Sequence, residues 1–519
     1  MATWKQFATC TLGAILIAAA PSIVHAQTSP DVPTASATDL MRELKSQVAE
    51  LQAAIKELRE ESTRYRAETR ELRSELRSAL AQVRPVRETA QTSQLQRTGS
   101  DAVFAANQPL DAEDRLARME ERYDLLSGKI DEQYQTKVES GSKYRVRLSG
   151  LALFNLFSNR GAVDNLDVPA IALSNTGRAE GSFGGTMRQS QIGLEVFGPT
   201  WAGARVRGNL QLDFGGGFPD TQNGVTMGLM RLRTATVQMD WPRTSVIGGQ
   251  DAPFFSPRSP TSLASLAEPA LAYAGNLWTW VPQLRIEHRM NAGENSRITV
   301  QAGILDPLTG ERPAYQFERV PQAGEASRQP GYAARLAWSS RDQDRPASIG
   351  VGGYYNRQNW APGRTVDGWA ATADWSVPLG RMFSVTGEFY RGRAIGGLGG
   401  ALGGTVLYTG PALNPYSRVR GLDAVGGWAQ LKLRATPKLE FNLAGGQDNP
   451  YSTQLRGALF RGYILDYDAA RNRSIFTNFI YRPRSDLLFS AEYRRIESFS
   501  LTYDGRSADH INLMMGVLF

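Results

Sequence analysis

In 519 residues the chain has one cysteine, three histidines and no apolar run long enough to form a membrane-spanning helix. Cys10 is the only thiol, which excludes an internal disulfide and a thiolate metal site. His25 falls within an expected leader, leaving His288 and His510 as the imidazoles available for acid–base work. Neither stands beside a serine motif, so the sequence argues against an enzyme, and no catalytic residue, cofactor or metal is expected. There is no phosphate-cradling glycine loop either; "IGGLGGALGG" at 395–404 reads as a mobile outer loop. The apolar stretch from Thr11 to Ala20 stops at Pro21, well short of the roughly 20 residues a spanning helix needs. If this chain enters a membrane, it does so as strands.

The opening "MATWKQFATCTLGAILIAAAPSIVHA" has the composition of a secretory signal peptide over residues 1–26, with Val24-His25-Ala26 at the cleavage site. The mature chain is expected to begin near Gln27. Net charge is +7, but it is unevenly placed: acids slightly outnumber bases before about residue 140, and the excess of arginine lies beyond it. The arginines are too dispersed over alternating strands to suggest nucleic acid.

Residues 38–84 read as a coiled coil. Met41, Val48, Ile55, Leu76 and Val83 share one heptad position, and Leu44, Leu51, Leu58, Tyr65 and Leu72 the other. Ser62 and Thr69 are polar within this seam, and Pro85 ends it. A polar linker (85–110) and a short helical segment (111–135), with Leu116, Met119, Tyr123, Leu126 and Ile130 in register, precede a change of period.

From "YRVRLSGLALFNLFSN" onward, apolar and polar residues alternate at period two, and the alternation continues to the last ten residues, "HINLMMGVLF". There Ile511, Leu513, Met515, Val517 and Phe519 share one face. Tight turns alternate with long connections, expected to do so without interruption, as in outer-membrane barrels. The expected fold is all-β and transmembrane: an antiparallel outer-membrane β-barrel of about sixteen strands over residues 140–519, preceded by the α-helical coiled coil in the periplasm. Trp201, Trp241, Trp278, Trp280, Trp369 and Trp375 would sit in the interfacial girdles.

A sixteen-stranded barrel leaves an aqueous channel. The inward faces would carry Arg205, Arg207, Arg285, Arg289, Arg335, Lys432, Arg434 and Arg494, a cationic lining that attracts anions. "GQDAPFFSPRSPTSLASLAEPALAYAGN" mixes apolar residues and prolines with Asp251, Arg258 and Glu268. It is expected to fold into the lumen as a constriction, with Arg258 at the narrowest point.

With "TMRQSQIGLEVFGP", "LMRLRTATVQ" and "WVPQLRIEHR" in the barrel, this arrangement resembles the DcaP-type trimeric porins. The resemblance covers most of the chain after residue 40. It implies a homotrimer in the outer membrane of a Gram-negative-type bacterium, three-stranded pairing of the heptads, and small anionic solutes such as dicarboxylates. The terminal Phe519 resembles the signal that bacterial barrel-assembly machinery recognises. The competing reading is an envelope tether, in which the coiled coil contacts peptidoglycan or a partner protein and the barrel is its anchor.

Overall fold

The computed structural model describes residues 137–138, 144–174, 180–218, 228–311, 319–342, 345–361, 363–412, 414–458, 460–461, 469–501 and 505–519. The leader, coiled coil, linker and short helical segment expected at 1–26, 38–84, 85–110 and 111–135 lie outside the described residues.

Alternation at period two places every second side chain on the same face of a strand, and sixteen such strands close on themselves. They are β1 (Arg145–Arg160), β2 (in two pieces, Gly181–Thr186 and Gln191–Trp201), β3 (Ala204–Asp213) and β4 (Arg231–Asp240). Next come β5 (Thr244–Asp251), β6 (Val281–Asn291), β7 (Ser296–Leu305) and β8 (Gly331–Ser340). These lead to β9 (Ser348–Trp360), β10 (Arg364–Leu379), β11 (Phe383–Arg393) and β12 (Asp423–Thr436). The last four are β13 (Leu439–Pro450), β14 (Ala469–Tyr481), β15 (Leu487–Ser500) and β16 (Arg506–Leu518). Each pairs antiparallel with its neighbours, and β16 pairs back onto β1 from Leu151↔Leu518 to Arg160↔Asp509, so no wall edge is left open.

The outer face is apolar by composition. On β8, Tyr332, Leu336 and Trp338 are exposed while Ala333, Arg335 and Ala337 are buried; on β16, Ile511, Leu513, Met515 and Val517 are exposed while His510, Asn512 and Met514 are buried. The seam is finished by the last residue. Gly150 donates its N–H to the Phe519 carbonyl at 2.7 Å, and Phe519 donates to the Gly150 carbonyl at 3.1 Å. The Phe519 ring occupies the space a side chain at Gly150 would need. Gly150→Leu is therefore expected to displace that ring and lower the temperature at which the folded barrel loses its compact SDS-gel mobility, whereas Gly363→Ala, at a turn with open space around it, leaves the closing seam untouched.

Three features differ from the sequence expectations. First, β2 is interrupted: its two pieces both pair with β1, and the break at 187–190 turns Arg188 and Gln189 inward. The following turn is at Ala202–Gly203, both at positive φ (48° and 76°). Second, long and short connections do not alternate throughout. The β9–β10 and β15–β16 connections span only 361–363 and 501–505, because those strands continue pairing past the point where the sequence turns polar on both faces.

Third, the glycine-rich segment is not a mobile loop. Gly396, Gly397, Leu398, Ala401, Leu402 and Gly403 are all buried, packed with Leu277, Ile395 and Leu407. Its glycines serve close approach: Gly397 lies against the Leu308–Thr309 backbone, and Gly399 against the Trp278 ring, which packs here edge-on to Trp280. Those two tryptophans belong to the loop packing, not to a lipid girdle.

Candidate functional site: the barrel lumen

The β5–β6 connection, residues 252–280, lies inside the barrel. Its apolar residues supply the reason: Leu263 and Ala264 pack on the inward Leu151, Leu153, Ile480, Leu488 and Met514, burying surface that would otherwise face water. Phe255 stacks on the inward Tyr354 with ring centroids 5.2 Å apart.

Polar contacts pin the loop along one side of the wall. Ser256 Oγ donates to Glu388 at 2.7 Å, and the Arg258 N–H donates to the same carboxylate at 2.6 Å. Thr261 N–H reaches Gln430 at 2.6 Å, Ser262 Oγ reaches Glu492 at 2.5 Å, and Asn478 donates to the Thr261 carbonyl at 3.0 Å. Gln189, presented by the break in β2, donates to the Ala264 carbonyl (2.9 Å) and accepts from the Leu266 N–H (2.6 Å). The loop thus follows the wall from β11 through β12, β14 and β15 to β2. A charge-assisted hydrogen bond or a satisfied amide stands at nearly every rung.

The arginines divide into two groups. Arg335 and Arg494 point inward, but at 9% and 4% exposure they are covered: Arg335 grips Asp374 at 2.8 and 2.9 Å, and Arg494 grips Glu492 at 2.7 Å and Ser265 at 2.6 Å. Arg258 donates to Asp374 at 2.9 Å and to Ser348 at 2.6 Å, which turns it toward the wall beside Arg335. These three brace the loop. Lys432, 3.5 Å from Glu440, and Arg434 share the inward face of β12.

Opposite the loop the lumen is open. A space of about 780 Å³ is lined by Arg147, Arg207, Glu195, Asp251 and the amides of Asn209, Gln211 and Gln238. At the short-turn end, a second space of about 310 Å³ is lined by Arg205, Arg207, Arg243, Arg289, Arg297 and Asp240. Together they expose six arginines and three carboxylates. Of these, Arg207 holds Asp240 at 2.7 Å and Arg147 lies 3.5 Å from Glu195, while Asp251 is held by Arg285 at 2.9 Å. Arg205, Arg243 and Arg297 form no ion pair among the described residues. Sequence reasoning missed Arg147, Arg243 and Arg297 as lining, and Asp374, Glu388 and Gln430 as anchors; the period-two pattern on β1, β7, β10, β11 and β12 is the signal that carries all of them but Arg243, which lies in the β4–β5 turn.

Glu268 does not face the open space. Its Oε1 is enclosed without a hydrogen-bond partner, although the residue as a whole is half-buried, in a small cavity between 168–170, 265–272 and Arg494. Burial, reinforced by the nearby Asp164, pushes its carboxyl up to about 8, against the opposing pull of Arg231 and Arg494. A carboxyl raised on folding contributes packing that is complete below its ordinary value of 4.5 and is lost as pH rises toward 8. The thermal stability of the folded barrel is therefore expected to fall between pH 5 and 8, and Glu268→Gln to flatten that dependence.

The two histidines among the described residues lie apart from this cavity. His288 lies on the outward face, 3.0 Å from Thr244 Oγ1, and His510 is buried against Asn159 at 2.7 Å.

No protein-family model matches the chain, and no curated protein matches it. Among solved structures, the outer membrane channel DcaP of Acinetobacter baumannii aligns over 73% of this chain and 99% of its own, with a TM-score of 0.55 and 16% identity. An anion-selective porin from Comamonas acidovorans aligns over 72% and 100% with a TM-score of 0.43 and 11% identity. Pseudomonas putida OprB aligns over 76% and 97%, with a TM-score of 0.44 and 11% identity. The likeness to DcaP shows a porin-like fold.

Proposed function

We propose that this chain is an outer-membrane porin through which small anionic solutes diffuse passively. The observation that carries this reading is the asymmetry of the lumen: one side is filled by a pinned loop, and the side left open exposes six arginines against three carboxylates. Fixed cations beside a low-dielectric wall raise the local concentration of anions and lower that of cations. Arg147, Arg205, Arg207, Arg243, Arg289 and Arg297 are the residues of this field, with Arg285, Lys432 and Arg434 on the same inward wall, and the loop that follows Asp251 and carries Arg258 and Glu268 sets the narrow section. Dicarboxylates suit spaced guanidinium pairs, since planar bidentate contacts hold carboxylates well. The barrel is proposed to work as a homotrimer, with residues 38–84 coiled in the periplasm and Phe519 closing the strand that assembly machinery would recognise.

Planar-bilayer recording under a KCl gradient tests this. Three coupled conductance steps with an anion-directed reversal potential are expected, together with concentration-dependent block by a dicarboxylate. Folded protein that gives no conductance would overturn the porin reading and leave an anchor whose coil touches peptidoglycan.

A further inference from the structure

The wall facing away from the lumen should be apolar wherever it meets hydrocarbon, and on β11 and β14 it is so only part of the way. From the short-turn end, β11 presents Phe383, Val385 and Phe389 outward and then Arg391 and Arg393; β14 presents Tyr481, Phe479 and Ile475 and then Arg473 and Arg471. Arg391 stands eight residues along the strand from Phe383. At about 3.4 Å per residue and a tilt near 40°, that places it about 20 Å above the first apolar rung, in the upper part of a band roughly 25 Å tall. These arginines lie toward the headgroups on the side of the long connections.

Their partners are unevenly shared. Arg393 holds Asp423 at 2.8 and 3.1 Å, and Arg473 holds Glu497 at 2.6 Å. Arg495 on β15 spans Glu497 and Asp509, each at 3.1 Å. Arg391 and Arg471 form no ion pair among the described residues. Each is instead backed by an aromatic ring: the Arg391 guanidinium carbon is 5.4 Å from the Tyr451 centroid, and that of Arg471 is 4.0 Å from Phe499. The Arg471 Nε is enclosed and has no hydrogen-bond partner.

The register puts these two arginines in one row across the strands, a row that the strand tilt inclines to the membrane plane. Arg391 pairs with Val425, Val425 with Asn449, and the next pair along, Asp448↔Asn472, sets Asn449 beside Arg471. Three interstrand steps of about 4.8 Å separate them by about 14 Å. Two ring-supported guanidinia on the outward wall, neither in an ion pair among the described residues, leave charge incompletely met in a medium that solvates it poorly. A phosphate group meets both the charge and the planar fork.

We propose that the outward face of β11–β14, at the long-connection end, binds a phosphorylated lipid of the outer leaflet, with Arg391 and Arg471 each taking a phosphate of its headgroup. This rests on the outer-membrane placement in the functional reading but not on conduction or anion preference, so a barrel that fails to conduct can still pass the test.

The test is native mass spectrometry of the detergent-solubilised full chain with bisphosphorylated lipid A, the same lipid after enzymatic dephosphorylation, and inorganic phosphate. Expected are lipid adducts at least fivefold more abundant with the bisphosphorylated form, persisting in 10 mM phosphate, and reduced at least fivefold in R391S/R471S. Unchanged heat-modifiable gel mobility and unchanged conductance would show that this variant is folded, since neither residue faces the lumen. Arg357→Ser, on the outward face of β9 and paired with Asp367, should bind as the unaltered protein does. Equal binding of the dephosphorylated lipid, or full adduct formation by the folded double variant, overturns the proposal. So does displacement by free phosphate, which would point to a soluble-anion site.

Discussion

Exchanging Arg205, Arg243 and Arg297 together for glutamate is expected to reverse the sign of the channel's reversal potential in a KCl gradient. The open spaces expose six arginines and three carboxylates; after the exchange they expose three arginines and six carboxylates. None of the three forms an ion pair among the described residues, so the substitution leaves intact the Arg207–Asp240 contact at 2.7 Å and the Arg289 bond to Ser245 at 2.7 Å. The folded wall is expected to tolerate it. The size of the reversal should depend on salt, because the screening length is about 10 Å at 0.1 M and about 3 Å at 1 M. At 0.1 M the lining acts across the lumen, whereas at 1 M ions passing far from the wall hardly feel it. A chloride-to-potassium permeability ratio that starts above one and falls below one at low salt is the expected result. A variant that folds but keeps its anion preference would place the selective field elsewhere, with Arg258 and the loop as the nearest candidates, and the reading of the open wall would be wrong.

The parts of this structure that were legible in the sequence are those that depend on a local period. β16 reads as a membrane strand because Ile511, Leu513, Met515 and Val517 each meet the same solvent, so one rule governs every second residue. Arg205 and Arg207 were placed inward by the same rule. What the period does not carry is which inward residues remain uncovered. Arg494 and Arg207 are alike in sequence, yet Arg494 lies beneath a loop that begins more than 200 residues earlier in the chain, and Arg207 faces open space. The anchors were hidden for the same reason: Ser262 and Glu492 are 230 residues apart, and nothing local links them. The glycine-rich segment was misread through a real ambiguity, since glycine permits both mobility and close packing. The Trp278 ring against Gly399 and the Leu308–Thr309 backbone against Gly397 decide between them.

Asp374→Ala is expected to cost more stability than any other single change in the lumen, and the order of a short series identifies the cause. Asp374 is 2% exposed and takes three charge-assisted bonds, two from Arg335 on the neighbouring wall and one from Arg258 on the loop. Removing its carboxylate leaves Arg335, 9% exposed, with Gln301 at 3.0 Å as its remaining hydrogen-bond partner among the described residues, and loosens one hold on the loop. Stranding a buried charge in this way costs about 3–5 kcal/mol. Asp374→Asn keeps the shape and part of the hydrogen bonding while losing the charge, so it should fall between. Arg258→Ala removes a cation that is 24% exposed and leaves the Arg335–Asp374 pair whole; its cost should be about 1–2 kcal/mol, and its main effect should be noisier current as the loop loses a tether. Chemical denaturation of the folded barrel gives the order, and bilayer recordings give the noise. If Arg258→Ala proves as costly as Asp374→Ala, the loop contact and not the wall pair carries the energy, because the pair is broken in only one of the two variants.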